Sequence, residues 1–204
     1  MLPPDQRPAI DLSPLSLRGR QVELLPLQRQ HLDALIAAGS DEAIWTWYPE
    51  AYDTPGSMAR FVDTALSAVA AGSAQVFVQR ELGSGRIVGS TRLFQFSLRD
   101  RRAEIGWTWL APEAQRSGIN TEAKYLLLRH AFETLGLMRV EFKTDALNLR
   151  SRAAIARIGA TQEGIFRRHV LCASGRVRDS VYFSIVDSEW PQVREHLQAL
   201  LAKF

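Results

Sequence analysis

The residues from Glu104 to Glu122 hold the arrangement most readily turned to chemistry: a strand, a short polar loop with one glycine, and the start of a long helix. The first N–H groups of a helix have no partner within it, so an anion, above all a phosphate, is stabilised there. The loop consists of Gln115, Arg116, Ser117, Gly118, Ile119 and Asn120. Gly118 permits a positive φ or a close approach of backbone to ligand, and Arg116 adds a cation. Many strand–loop–helix junctions carry one glycine and bind nothing, so the loop gains its meaning from the elements around it.

Those elements follow from hydrophobic spacing. Residues 20–26 predict a first strand, residues 27–38 a helix with apolar positions at 32, 35 and 36, and residues 57–71 a second helix. Residues 75–80 and 86–95 form a strand pair around Leu82-Gly83-Ser84-Gly85. Residues 103–110 are a further strand, with Ile105, Trp107 and Trp109 on one face and Glu104, Gly106 and Thr108 on the other. The longest helix is predicted over 121–135, with Lys124, His130 and Glu133 outward, and residues 139–144 return as a strand. Strand, helix and strand in that order require a right-handed crossover and a locally parallel pair. Asn148 stands where a helix cap belongs, ahead of a short helix over 151–158. A final hairpin (163–171 and 177–186) and a helix over 191–202 complete a mixed α/β sheet with helices on both faces.

A chain of 204 residues, 46% of them hydrophobic, is long enough for one substantial core. The first sixteen residues include four prolines (Pro3, Pro4, Pro8 and Pro14) and read as a flexible arm, leaving 17–204 as a single domain. The net charge of +3 is too small to argue for nucleic acid. The basic residues are mostly arginine, which suits phosphate and carboxylate ligands. The single cysteine, Cys172, excludes an internal disulfide and any multi-cysteine metal centre, and no metal site is expected. No secretion signal and no membrane-length apolar run is evident, so the expectation is a soluble protein of the cytoplasm with no membrane partner.

With these motifs in order, the chain resembles the GNAT superfamily of acyl-CoA-dependent N-acetyltransferases, and within it the branch acetylating ribosomal-protein N-termini. Residues 115–120 are similar to its phosphate loop, except that Asn120 stands at a position usually held by Gly or Ala. Thr121-Glu122-Ala123, the run from Asp145 to Ser151, Arg157-Ile158-Gly159-Ala160 and the run from Arg178 to Ser184 are further matches, so the resemblance spans about residues 17–190. It implies a mostly antiparallel sheet whose one parallel pair splays to admit acetyl-CoA as co-substrate. The pyrophosphate then lies over residues 115–120 and the start of the helix at Thr121. Backbone near Trp109 and Leu110 holds the pantetheine, and Asn148 and Ser151 lie beside the pantetheine and thiol. Dimers are common in such enzymes.

Acetyl transfer needs a held thioester, a neutral amine, oxyanion support and a proton for the leaving thiolate. Ser151 is the candidate hydroxyl beside the sulfur, or alternatively a residue of the first turn of its helix. Asn148 divides in the same way between helix cap and pantetheine contact. Glu104 is the leading general base, against the reading of an ordinary strand-end glutamate; Glu141, Asp145 and His169 are rivals, and Tyr182 is another donor to a thiolate. Trp45, Trp47, Tyr48 and Tyr52 offer a wall for a cationic acceptor or pack a loop onto the sheet. The acceptor stays open between a peptide N-terminus and a small-molecule amine such as a free amino acid, a polyamine or an antibiotic. The rival function is an acyl-CoA-binding regulatory module with little transferase activity.

Overall fold

The computed structural model describes residues 10–204, so residues 1–9 of the predicted arm lie outside the described residues. Residues 10–16 have no regular secondary structure, and Ile10, Leu12 and Leu15 pack against the core.

Among the described residues, one sheet of eight strands runs in the order β1-β2-β3-β4-β5-β6-β8-β7. Its members are β1 (Leu17–Arg18), β2 (Val22–Pro26), β3 (Ala74–Glu81), β4 (Ile87–Ser97), β5 (Arg102–Leu110), β6 (Arg139–Asp145), β7 (Thr161–Leu171) and β8 (Val177–Val186). The helices are α1 (Leu32–Ala38), α2 (Pro55–Ala70), α3 (Ile119–Arg129), α4 (Leu149–Arg157) and α5 (Trp190–Leu201). Short turns make neighbouring strands antiparallel, whereas β5 and β6, joined through α3, are parallel. Alternation along β3 divides the interior into two cores. Val76 and Val78 face α1 and α2 with Leu35, Met58, Phe61 and Val62, while Phe77 points the other way, towards Ala123, Leu127 and Leu197. No described helix is long and apolar enough to cross a membrane.

The parallel pair opens towards its C-terminal end. Its register runs through Arg102–Arg139, Ala103–Val140 and Glu104–Glu141 and stops there. Beyond that point β5 stays with β4 and β6 stays with β8 as far as Asp145–Ser180, leaving a gap between them.

Two expectations about orientation need correction. On β4, Ser90 lies opposite Trp109 but Arg92 lies opposite Gly106, so β5 carries an extra residue in a bulge, with Trp107 at φ +51°. The bulge breaks the alternation: Ile105 enters the core under α3, while Trp107 and Trp109 pack with the α1–α2 core. Glu104, pointing away from Ile105, therefore shares the face of the two tryptophans. The second correction concerns the long helix, which passes after Arg129 into a wider π turn at His130–Thr134. Lys124 and His130, expected to face solvent, are both buried. His130 is turned to Gln75, Nε2 to Oε1 at 3.1 Å, and Lys124 faces the gap.

Candidate active site

A cavity of about 780 Å³ fills the gap between β5 and β6 and extends to the start of α3 and the near face of α4. At its upper end Gly118 precedes α3 with φ +85°, a conformation that costs a residue with a Cβ about 1–2 kcal/mol. No side chain caps α3, and Gly118, Asn120 and Thr121 line the cavity, so the opening N–H groups of the helix are free to take an anion there.

The loop side chains divide their work. Ser117 Oγ donates to the Ala114 carbonyl at 2.6 Å, and Ile119 is buried in the core, so both brace the loop from behind. Gln115 staples it: Nε2 donates to the Leu110 carbonyl at 3.1 Å, and Oε1 accepts from Arg150 at 2.9 Å. Arg116, at φ +63°, lines the cavity with Arg150 and Arg157, and Arg157 donates to Thr121 Oγ1 at 2.7 Å. Arg150 and Arg157 fell within the matched motifs but were given no role at the site. Their signal was a spacing of seven on α4, two turns apart on one helix face. Asn120 Oδ1 is buried without a partner among the described residues, an acceptor that an amide N–H in the cavity would satisfy. An open helix N-terminus, three guanidinium groups and an unpaired amide acceptor fit a ligand with a phosphate end and an amide-bearing arm.

Further down, the carbonyl of Thr108 accepts from Tyr48 Oη at 2.7 Å. The Trp109 carbonyl is turned instead to Gln79 Nε2 at 3.3 Å, and its ring closes the α1–α2 core. Of the expected pair, the Leu110 carbonyl lies on the loop side and the Trp109 carbonyl on the β4 side. Across the gap Asn148 Oδ1 accepts from the Ser151 backbone N–H at 3.0 Å and caps α4. Both residues line the cavity, and the Ser151 hydroxyl makes no hydrogen bond to another described residue. Capping and cavity contact therefore coexist.

Glu104 is buried at 3% exposure and is the one carboxylate lining the cavity among the described residues. Lys143 Nζ lies 3.4 Å from it, yet burial outweighs that cation and holds its pKa above the ordinary glutamate range. The rivals are otherwise engaged. Glu141 pairs with Arg139 at 2.8 Å and Arg102 at 3.6 Å. Asp145 pairs with Arg176 at 2.5 Å and accepts from the Leu147 N–H at 2.9 Å. His169 meets Ser180 Oγ at 3.0 Å, and Tyr182 stacks on Phe166 with centroids 4.3 Å apart, both away from the cavity lining. Of the aromatic wall, Trp47 and Tyr48 line the cavity, whereas Trp45 and Tyr52 pack edge to face in the core.

A family profile described as an acetyltransferase (GNAT) domain matches residues 21–161. A GCN5-related N-acetyltransferase from Brucella melitensis superposes with a TM-score of 0.86 at 34% identity, over 96% of this chain and 88% of that one. YdaF of Bacillus subtilis (strain 168), provisionally named a ribosomal N-acetyltransferase, is 38% identical over 109 residues, 53% of this chain and 58% of its own. The FsC-acetyl coenzyme A-N(2)-transacetylase of Aspergillus fumigatus is 32% identical over 100 residues, 48% of this chain and 42% of its own. The chain thus spans about half the length of these curated relatives.

Proposed function

The chain belongs to the GNAT acetyltransferase family, and from that premise we propose that it moves an acetyl group from acetyl-CoA to a primary amine by direct attack on the thioester. The observation that carries the reading is the gap itself: an uncapped helix N-terminus opens onto one end of a cavity whose single described carboxylate, Glu104, is at the other. Acetyl-CoA supplies the activated acyl group. Arg116 and the first N–H groups of α3 hold its diphosphate, and Asn120 and Asn148 meet its amide-bearing arm. Glu104 takes a proton from the incoming ammonium, directly or through water, and Ser151 donates a hydrogen bond to the sulfur.

Glu104→Gln is expected to lower kcat/KM about 100-fold, the scale of a general base. Glu104 works when ionised, so wild-type activity rises as pH climbs through its raised pKa, and that limb is absent in the variant. The same raised value means that the folded state holds the proton more tightly than the unfolded chain. Its contribution to stability is full below the ordinary glutamate pKa and is lost as pH rises through the folded one. An unchanged pH–rate profile in Glu104→Gln contradicts the assignment. Ser151→Ala is expected to lower kcat about tenfold, the scale of one charge-assisted hydrogen bond, while acetyl-CoA affinity changes less. Equal turnover would reduce Ser151 to a residue of α4.

A peptide N-terminus is the acceptor we favour, supported by the branch resemblance and by the name that YdaF carries. Trp47 and Tyr48 at the cavity supply rings for a cationic amine. With ribosomal proteins as acceptors, as the name of YdaF suggests, the cytoplasm is the proposed place of action. The test is thiol release from acetyl-CoA with a panel of free-N-terminus peptides, amino acids, polyamines and aminoglycosides. Turnover with a peptide α-amine supports the reading, and turnover with only a small amine moves the acceptor class. Tight acetyl-CoA binding with no turnover across the panel indicates a binding module instead.

A further inference from the structure

Lys124, which sequence periodicity put on the outer face of its helix, is instead a buried amine. It stands on α3 one turn after Asn120, is 6% exposed, and lines the cavity. Its Nζ lies 2.6 Å from Thr108 Oγ1 and 5.8 Å from the centre of the Phe142 ring, bridging the two strands that part company. Thr108 Oγ1 in turn meets Thr91 Oγ1 at 2.8 Å. No carboxylate of the described residues is in ion-pair contact with Lys124.

A buried ammonium without a counter-ion is expensive, so its retention inside a ligand cavity points to negative charge that arrives or develops there. In acetyl transfer that charge develops on the sulfur. A serine hydroxyl can hold the sulfur by a hydrogen bond, but giving up its own proton leaves an alkoxide. We infer that Lys124 is the proton donor to the departing CoA thiolate, with Ser151 positioning the sulfur; this rests on the acetyl-transfer reading above. The amine nitrogen bonds to the acetyl carbon, the C–S bond breaks with its electron pair going to sulfur, and a proton passes from Lys124 Nζ to that sulfur. Glu104, having passed the ammonium's first proton on to water, takes the second proton that the nitrogen loses as the N–C bond forms, and both side chains return to their starting states by exchange with water.

The surroundings suit the task. Burial lowers the Lys124 pKa to about 7, so the group both carries and releases a proton near neutrality. Of the charges on the elements around it, Glu104 on β5 favours the protonated form. Lys143 on β6 is turned to Glu104, and Arg157 on α4 is turned to Thr121. Glu122, on α3 itself, is directed away to the backbone of residues 20–22.

The test compares CoA with desulfo-CoA by calorimetric titration of wild-type protein, Lys124→Met and Lys124→Arg, and needs no acceptor. Wild-type protein is expected to bind CoA about tenfold more tightly than desulfo-CoA, the worth of a hydrogen bond to a charged group. Lys124→Met loses most of that preference, keeping only the smaller part that the neutral Ser151 hydroxyl supplies, and it keeps its desulfo-CoA affinity, which also shows that it is folded. Lys124→Arg keeps the preference. In turnover, the wild-type rate falls as pH rises through about 7. In Lys124→Arg that falling limb is gone and kcat is about 100-fold lower, because a guanidinium does not release its proton in this range. A preference for CoA that is undiminished in Lys124→Met, or no preference in the wild type, overturns the assignment while leaving acetyl transfer intact. Failure to bind either ligand removes the acetyl-transfer reading and this one with it.

Discussion

Replacing Glu122 with alanine is expected to cost about 3 kcal/mol or more of folding stability, because it strands three backbone donors at once. The Glu122 carboxylate accepts from the N–H groups of Arg20, Gln21 and Val22 at 2.8, 2.7 and 2.9 Å, and the residue is 4% exposed. A single side chain thereby ties the start of α3 to the turn between β1 and β2, across about 100 residues of sequence. Gly19 is part of the same joint. A Cβ there would lie 2.3 Å from Glu122 Cδ, so a side chain at 19 displaces the carboxylate. For a chain of this size, 3 kcal/mol lowers Tm by roughly 6–12 °C. Thermal unfolding of Glu122→Ala checks this, and a loss below about 1 kcal/mol would mean that water replaces the carboxylate.

Gly118→Trp is expected to weaken acetyl-CoA binding by more than about 100-fold, by placing a large ring where backbone must approach the diphosphate. At φ +85° any side chain is strained, and a Cβ would lie 2.9 Å from both Gln21 Oε1 and Phe204 Cγ. Both neighbours are side-chain atoms that can give way, so the loss falls on the ligand rather than on the fold. Calorimetry with acetyl-CoA, alongside an unfolding curve, separates the two. Unchanged affinity in a folded variant would show that the diphosphate lies elsewhere.

The two predictions also mark what can be read from sequence. The crossover β5–α3–β6 and its parallel pairing followed from order alone, because handedness and chain connectivity leave little choice. Asn148 as a helix cap was equally legible, since capping is local chemistry. Glu122 was visible only as part of a motif. Its partners lie far away in sequence, and nothing in the helical period reveals three distant N–H groups. The face of Trp107 was misread because strict alternation assumes no bulge, and a bulge turns on a positive φ that a tryptophan sequence does not announce. Lys124 was misplaced for a related reason. Periodicity assigns lysine to solvent, whereas here its face of the helix lies over the opening between two strands, where a tertiary gap rather than local sequence decides burial.

Of the expected site residues, Glu104, Trp109, Leu110, Gln115, Arg116, Gly118, Asn120, Thr121, Asn148 and Ser151 line one cavity, and Lys124, expected in solvent, joins them; Ser117 and Ile119 lie behind the loop. That convergence gives the functional proposal its physical content: in the proposed reading, the phosphate end, the arm and the reacting end of acetyl-CoA succeed one another along a single gap.

The most direct measurement is calorimetric titration of the purified protein with acetyl-CoA, with desulfo-CoA and ATP as controls. Saturable binding of acetyl-CoA, much tighter than that of ATP and shared in large part by desulfo-CoA, is the expected result. A folded protein that takes up no acetyl-CoA would contradict the reading of the gap as a cofactor site, and with it the proposed transfer.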